Sequence, residues 1–434
     1  MSSKHFRIDE HKVEASHIRS FPRSTSTKQE EVLHLAVKQY TPLNNTSPKS
    51  GDITIIAAHA NGFPKELYEP LWDELLKRCQ QHGFGIRGIW IADVVHQGMS
   101  SVLNEDKLGN DPAWLDHSRD LLNMVNIFRD QMPRPIIGVG HSMGGCQLAN
   151  LALLHPRLLE TLILIDPVIQ GKVSLNGNVG PAAASSRRRE RWPSREEAAK
   201  SFGKSKFYQT WDPRVLDLWV QYGLRDAPTK LFPDAKTPEV TLTTTKHQEV
   251  MTFLRPNFTA RPGDKEPSSA EFTLSNPKLN RRTHADITPT SEPQTPFYRG
   301  ESTIVFNQLP SLRPSVFYIF GEHSNLTVDK AVIEDKMRLT GSGVGGSGGR
   351  AEGRVANVMV QDAGHLIPME KVEESADHIS KWVGKEMKRY WDWERKTEEE
   401  WDGKQGVERS VLPGRFVEEL NALIKPRERK SSKL

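Results

Sequence analysis

Residues 140–145 read Gly-His-Ser-Met-Gly-Gly, between the apolar run PIIGV (135–139) and the helix-like CQLANLALLHP (146–156). A serine hydroxyl is a weak nucleophile, so chemistry at Ser142 requires a base to take its proton and donors to hold an oxyanion. Glycines two residues to either side, Gly140 and Gly144, let the chain bend sharply from strand to helix without striking its neighbours. With a strand-like run before it and a helix-like run after it, Ser142 reads as a nucleophile rather than as one serine of a glycine-rich loop.

That reading sets conditions elsewhere. Such a turn goes with the chain order serine, acid, histidine, and His365 in QDAGHLIPMEKVEESADHISKWV (361–383) follows a strand-like run and precedes an amphipathic helix. His141 reads as a structural neighbour of the serine. The acid is open between two carboxylates. Its usual place, the third position after the glycine that ends SVFYIFG (315–321), holds Ser324, which has no carboxylate. Asp166, at the end of TLILID (161–166), is the favoured alternative, although an aspartate there can also serve only to hold the following loop; Glu322 is the second choice. Two backbone N–H groups should form the oxyanion hole, from Met143 and from Phe63 in AAHANGFPKELYEPLW (57–72). Asn61 in that loop is a turn residue and a candidate substrate contact.

Strand-like runs recur at 32–37, 53–58, 86–92, 135–140, 161–166, 315–320 and 355–360, with helical patterns between them. In 112–130, Leu115, Leu121, Leu122, Val125 and Phe128 recur every three or four residues and define one apolar helix face. The alternation predicts an α/β fold with a mainly parallel central sheet flanked by helices. The expected organisation is an N-terminal extension (1–30), a first core part (31–170), a largely helical cap insertion (171–310), a second core part (311–395) and a charged C-terminal segment (396–434). The stretch GSGVGGSGG (341–349) reads as a flexible linker.

The chain of 434 residues carries 59 basic and 55 acidic groups, with the basic excess in local clusters, which argues against a nucleic-acid partner. Two cysteines, Cys79 and Cys146, fit neither a disulfide framework nor a metal motif. No run approaches the ~18–20 apolar residues of a membrane span, and the polar start lacks the core of a secretory signal, so neither secretion nor membrane insertion is expected. The final residues Ser432, Lys433 and Leu434 form the tripeptide read by the peroxisomal import receptor, which predicts a peroxisomal matrix location.

GHSMGG, the HANGFP loop and the late Gly-His pair together resemble the α/β-hydrolase superfamily. The stretches at 93–126, LILIDPVI (162–169), RWPSREEAAKSF (191–202) and WDPRVLDLWVQYGLR (211–225) are similar to fungal peroxisomal hydrolases. That group includes the AK-toxin biosynthesis hydrolases and, more distantly, the yeast peroxisomal lipase. The resemblance implies an α/β-hydrolase fold and a peroxisomal serine hydrolase for acyl esters or thioesters, in some cases within secondary-metabolite (toxin) biosynthesis. No metal or cofactor is expected, and the substrate is a small acyl molecule. Trp192, Phe202, Phe207, Trp211, Trp219 and Tyr222 are candidates for a pocket roof, with Trp211 and Trp219 placed against substrate; their plainer role is cap packing. Arg187, Arg188, Arg189 and Arg191 are either a solvated charge run or a phosphate-attracting cluster. The vacancy at Ser324 keeps open a catalytically silent binding or scaffold protein, and carbon–carbon bond hydrolysis is a further alternative.

Overall fold

The strand-like runs become strands of one eight-stranded sheet in a computed structural model that describes residues 2–171, 178–256, 286 and 297–424. The strands are β1 (Phe6–Glu14), β2 (His34–Pro42), β3 (Ile53–Ala58), β4 (Ile86–Ala92), β5 (Ile136–His141), β6 (Thr161–Ile165), β7 (Ser315–Gly321) and β8 (Val355–Val360). Their order is β1-β2-β4-β3-β5-β6-β7-β8, antiparallel from β1 to β4 and parallel thereafter. β3, β5, β6 and β7 are buried along their whole length, which is why they read as continuous apolar runs instead of alternating ones. Each large side chain so buried contributes roughly 1.5–3 kcal/mol, and the core they form is continuous with Leu121, Met124 and Val125 of the helix Asp116–Ile127.

Register brings the chemistry to one end of the sheet. His141 of β5 lies opposite Ile165 of β6, which lies opposite Ile319 of β7. The residues just beyond the carboxyl ends of β5, β6, β7 and β8 therefore include Ser142, Asp166, Ser324 and His365.

Three expectations need correction. Residues 1–30 are not merely an extension, because β1 is the edge strand of the sheet; its outer face is polar, so it lacks an apolar run. Arg19 then fastens this region to the Asp116–Ile127 helix through buried ion pairs with Asp116 at 3.0 Å and Asp120 at 2.8 Å. The segment 341–349 is no flexible linker: Gly341 N–H donates to Leu309 O, Gly343 N–H to Pro310 O and Ser347 N–H to Leu312 O, each at 2.9 Å. The inserted region 178–256 carries the helices Gly180–Arg187, Arg195–Gly203, Pro213–Tyr222 and Lys246–Phe253, but also a three-stranded antiparallel sheet of Arg191–Trp192, Val240–Leu242 and Leu224–Asp226. Strands this short leave no periodic trace.

The chain forms two compact units, Met1–Lys385 and Glu386–Leu434. The second contains the helix Gly414–Leu423, on which Phe416, Leu420 and Leu423 are exposed. Among the described residues no helix is long and apolar enough to cross a membrane. Ser432, Lys433 and Leu434 lie outside the described residues.

The helix Met143–Leu154 starts almost in contact with β3: a Cβ on Gly144 would come to 2.2 Å from Ala58 O. Gly144→Ala should therefore force helix and strand apart at a cost of about 1–3 kcal/mol. Thermal unfolding should show Tm lowered by about 1–3 °C, and an unchanged Tm would show that the two backbones do not meet this closely.

Candidate active site

Ser142 adopts φ 56° and ψ −116°, a conformation that costs a non-glycine residue on the order of 1–3 kcal/mol and persists only when its surroundings enforce it. Enforcement comes from the loop after β6. Ser142 N–H donates to Ile165 O at 2.9 Å, and Ser142 O accepts Val168 N–H at 3.1 Å. The same loop turns through Asp166, itself at φ 39°, whose N–H donates to Ile319 O at 2.7 Å.

His365 Nε2 lies 2.8 Å from Ser142 Oγ, and its Nδ1 lies 2.5 Å from Asp166 Oδ2. A carboxylate only accepts, so the imidazole proton sits on Nδ1 and the Nε2 lone pair faces the serine hydroxyl. The structure thus brings Ser142, His365 and Asp166 into one hydrogen-bonded line. Glu322, the second choice for the acid, is not part of it: its carboxylate is exposed and accepts Asp362 N–H at 3.1 Å, bracing the turn that carries His365. Ser324, which holds no carboxylate, points its hydroxyl at Asp166 Oδ2 and accepts Leu326 N–H at 3.1 Å. It is a donor to the acid from the place an acid was expected.

His141 shows how the loops are held in register. Its Nε2 is 2.9 Å from His365 O, which can only accept, so Nε2 carries the proton and Nδ1 accepts from Tyr68 OH at 2.9 Å. Tyr68 OH in turn accepts Ala60 N–H at 2.9 Å. Burial holds the His141 pKa down at about 3, so this chain stays neutral through the working range. Nothing in the spacing of Tyr68 pointed to it.

The oxyanion side requires a correction. Met143 N–H opens its helix and so has no partner within it. Phe63 N–H donates to Ala60 O at 3.3 Å and closes a turn, whereas Asn61 N–H has no partner among the described residues. The N–H left unpaired on this turn, among the described residues, is thus that of Asn61, a residue of the cavity wall, and not that of Phe63. The Asn61 side chain is not free for substrate: its Nδ2 donates to Glu249 O at 3.1 Å, and its Oδ1 accepts from Gln97 Nε2 at 2.6 Å.

Ser142 and His365 open into a cavity of about 470 Å³ walled by Phe63, Trp114, Phe207, Tyr208 and Phe253. Trp211 and Trp219 are not among its lining residues; they are buried behind it, with ring centres 5.7 and 6.1 Å from Phe63. Trp192 and Phe202 likewise pack on each other, and Tyr222 faces Lys38 elsewhere. Of the arginine run, Arg188 alone lines the cavity.

A buried lysine lies near the acid. Lys336 Nζ donates to Pro167 O at 3.1 Å, and burial lowers its pKa from 10.5 to about 8 against the pull of Asp166. The folded state therefore resists protonation of Lys336. The cost is full below pH 8 and vanishes as pH rises through 10.5, the unfolded value. At about 1.4 kcal/mol per pH unit, the stability difference between the protein and Lys336→Met should move by roughly 3 kcal/mol in favour of the lysine between pH 8 and 10.5. Denaturant unfolding of both across that range tests this, and a constant difference would contradict it.

Comparison with known proteins adds three findings. The model of the alpha/beta hydrolase family matches residues 55–377. A type I acyl-CoA thioesterase, mpaH, of Penicillium roqueforti is 44% identical over 422 residues, spanning 93% of both chains, and an abhydrolase domain-containing protein, AFT2-1, of Alternaria alternata is 30% identical over 259 residues, 59% of this chain and 85% of that one. Among solved structures, the peroxisomal alpha-beta-hydrolase Lpx1 of Saccharomyces cerevisiae superposes with a TM-score of 0.65 over 96% of each chain at 16% identity, a likeness of fold.

Proposed function

The chain belongs to the alpha/beta hydrolase family and is a hydrolase of ester or thioester bonds, and on that premise we infer that it is a serine thioesterase for acyl-CoA. The observation that carries the inference is the line from Ser142 Oγ through His365 to Asp166, opening into an apolar cavity. His365 Nε2 takes the serine proton as Oγ attacks the thioester carbonyl. The N–H groups of Met143 and Asn61 hold the oxyanion. Collapse of the tetrahedral intermediate expels the thiol, which leaves with the proton from His365, and a water deprotonated by His365 then releases the acid. The thioester specificity draws on the likeness to the Penicillium acyl-CoA thioesterase. A role in fungal secondary metabolism belongs to the same proposal and rests on the resemblance of the stretches at 93–126 and 162–169 to fungal toxin-biosynthesis hydrolases.

Fluorophosphonate labelling combined with acyl-CoA turnover tests the reading. The protein should label and Ser142→Ala should not; an unlabelled, inactive parent would favour a silent binding protein. Asp166→Asn should lower kcat by about 10³–10⁴-fold, as loss of the orienting acid does in other triads. Glu322→Gln should stay within a few-fold of the parent, since it touches only the turn. Because Ser324 already reaches Asp166, adding Ser324→Asp to Asp166→Asn should restore at least tenfold of the lost activity.

Location in peroxisomes is part of the same proposal. A fluorescent fusion presenting Ser432–Leu434 at its free carboxyl terminus should appear punctate, and one lacking these residues diffuse. Continued punctate import without them would refute the assignment.

A further inference from the structure

One polar group in the cavity is not accounted for by the triad or the oxyanion hole. Arg188, at the end of the Gly180–Arg187 helix, is the single arginine or lysine among the described residues lining the cavity. Its Nη1 pairs with Glu249 at 3.1 Å. Its Nε and Nη2 are buried and find no hydrogen-bond partner among the described residues. These two nitrogens form one edge of the guanidinium, the fork that matches two oxygens of a carboxylate or phosphate. A buried donor left unpaired is destabilising, and two on one residue call for an explanation.

The surroundings hold the guanidinium near the oxyanion turn through its Nη1 side. Ser185 Oγ donates to Glu249 Oε1 at 2.6 Å, and the Glu249 carboxyl lies over the oxyanion turn, where a Cβ on Gly62 would meet its Cδ at 2.8 Å. The guanidinium also lies 5.9 Å from the Trp219 ring centre. The neighbouring arginines are spent elsewhere: Arg187 on Ala183 O, Arg189 on Arg191 O, and Arg191 on Glu239.

Building on the thioesterase reading, we propose that the unpaired edge of Arg188, covered by neighbouring side chains where it now lies, turns into the cavity its residue lines and binds an anionic oxygen pair of the substrate, beside the oxyanion turn. That pair is either a carboxylate on the acyl group or a phosphate of the CoA. Glu249 and Ser185 are the positioning residues that aim the fork.

Four thioesters separate the two sources: decanoyl and ω-carboxydecanoyl groups, each on CoA and on N-acetylcysteamine, assayed with the parent, Arg188→Met and Arg188→Lys. If the partner is the acyl carboxylate, the kcat/KM ratio of ω-carboxydecanoyl to decanoyl falls at least tenfold in Arg188→Met on both thiols. If it is a phosphate, the ratio of CoA to N-acetylcysteamine thioesters falls at least tenfold for both acyl groups. Arg188→Lys, which keeps the charge without the fork, should recover only part of either ratio. Both ratios staying within twofold of the parent overturns the proposal, including the case in which all four rates fall together because the variant is merely damaged. Should the parent hydrolyse none of the four, the thioesterase reading fails by itself. Calorimetric titration of Ser142→Ala and Ser142→Ala/Arg188→Met with ω-carboxydecanoyl-CoA then decides the proposal: a tenfold weaker Kd supports it, and equal Kd values overturn it.

Discussion

The two backbone hydrogen bonds that fasten Ser142 to the end of β6 and to the loop that follows it hold the site together. They keep a serine at φ 56°, where it would not rest unaided, and they belong to the loop that carries Asp166. Nucleophile and acid are therefore positioned by one piece of backbone rather than by two independent loops. The cost of the strained turn is met by sheet pairing between β5 and β6, both fully buried.

Placing the carboxylate after β6 instead of after β7 leaves a consistent trace around it. Ser324 faces the acid as a donor, and Glu322 is released to brace the His365 turn. Lys336 supplies a buried positive charge on the same side, held by Pro167 O. Asp166 Oδ1 has no hydrogen-bond partner among the described residues, so the carboxylate is oriented mainly through Oδ2, the oxygen shared by His365 and Ser324.

Much of this was legible in the chain, and the limits have physical causes. Buried parallel strands such as TLILI and ITIIAA announce themselves because both faces are apolar, whereas β1 hides behind a polar outer face. The glycine spacing around Ser142 is a local signal and could be read locally. Partnerships across the chain could not: that Ser324 serves Asp166, that Tyr68 meets His141, or that Phe63 N–H is used up by its own turn depends on where segments 73 and 158 residues apart converge or on which amide a turn consumes. The aromatic run divides for a related reason: sequence marks Phe207, Trp211 and Trp219 alike as apolar, but not that the first walls the cavity while the two tryptophans pack behind it. The linker misreading at 341–349 came from composition, which registers glycine freedom but not the three backbone bonds that remove it.

The side-chain amide of Asn61 ends on Glu249 O in the inserted region, while its backbone belongs to the turn beside the nucleophile. Access and readiness are thereby tied to one bond. Were the Lys246–Phe253 helix to lift and admit a bulky acyl group, it would pull on the amide whose neighbour must receive the negative charge, and reseating that helix would re-aim it. The inserted region and the turn beside the nucleophile are mechanically joined through that side chain.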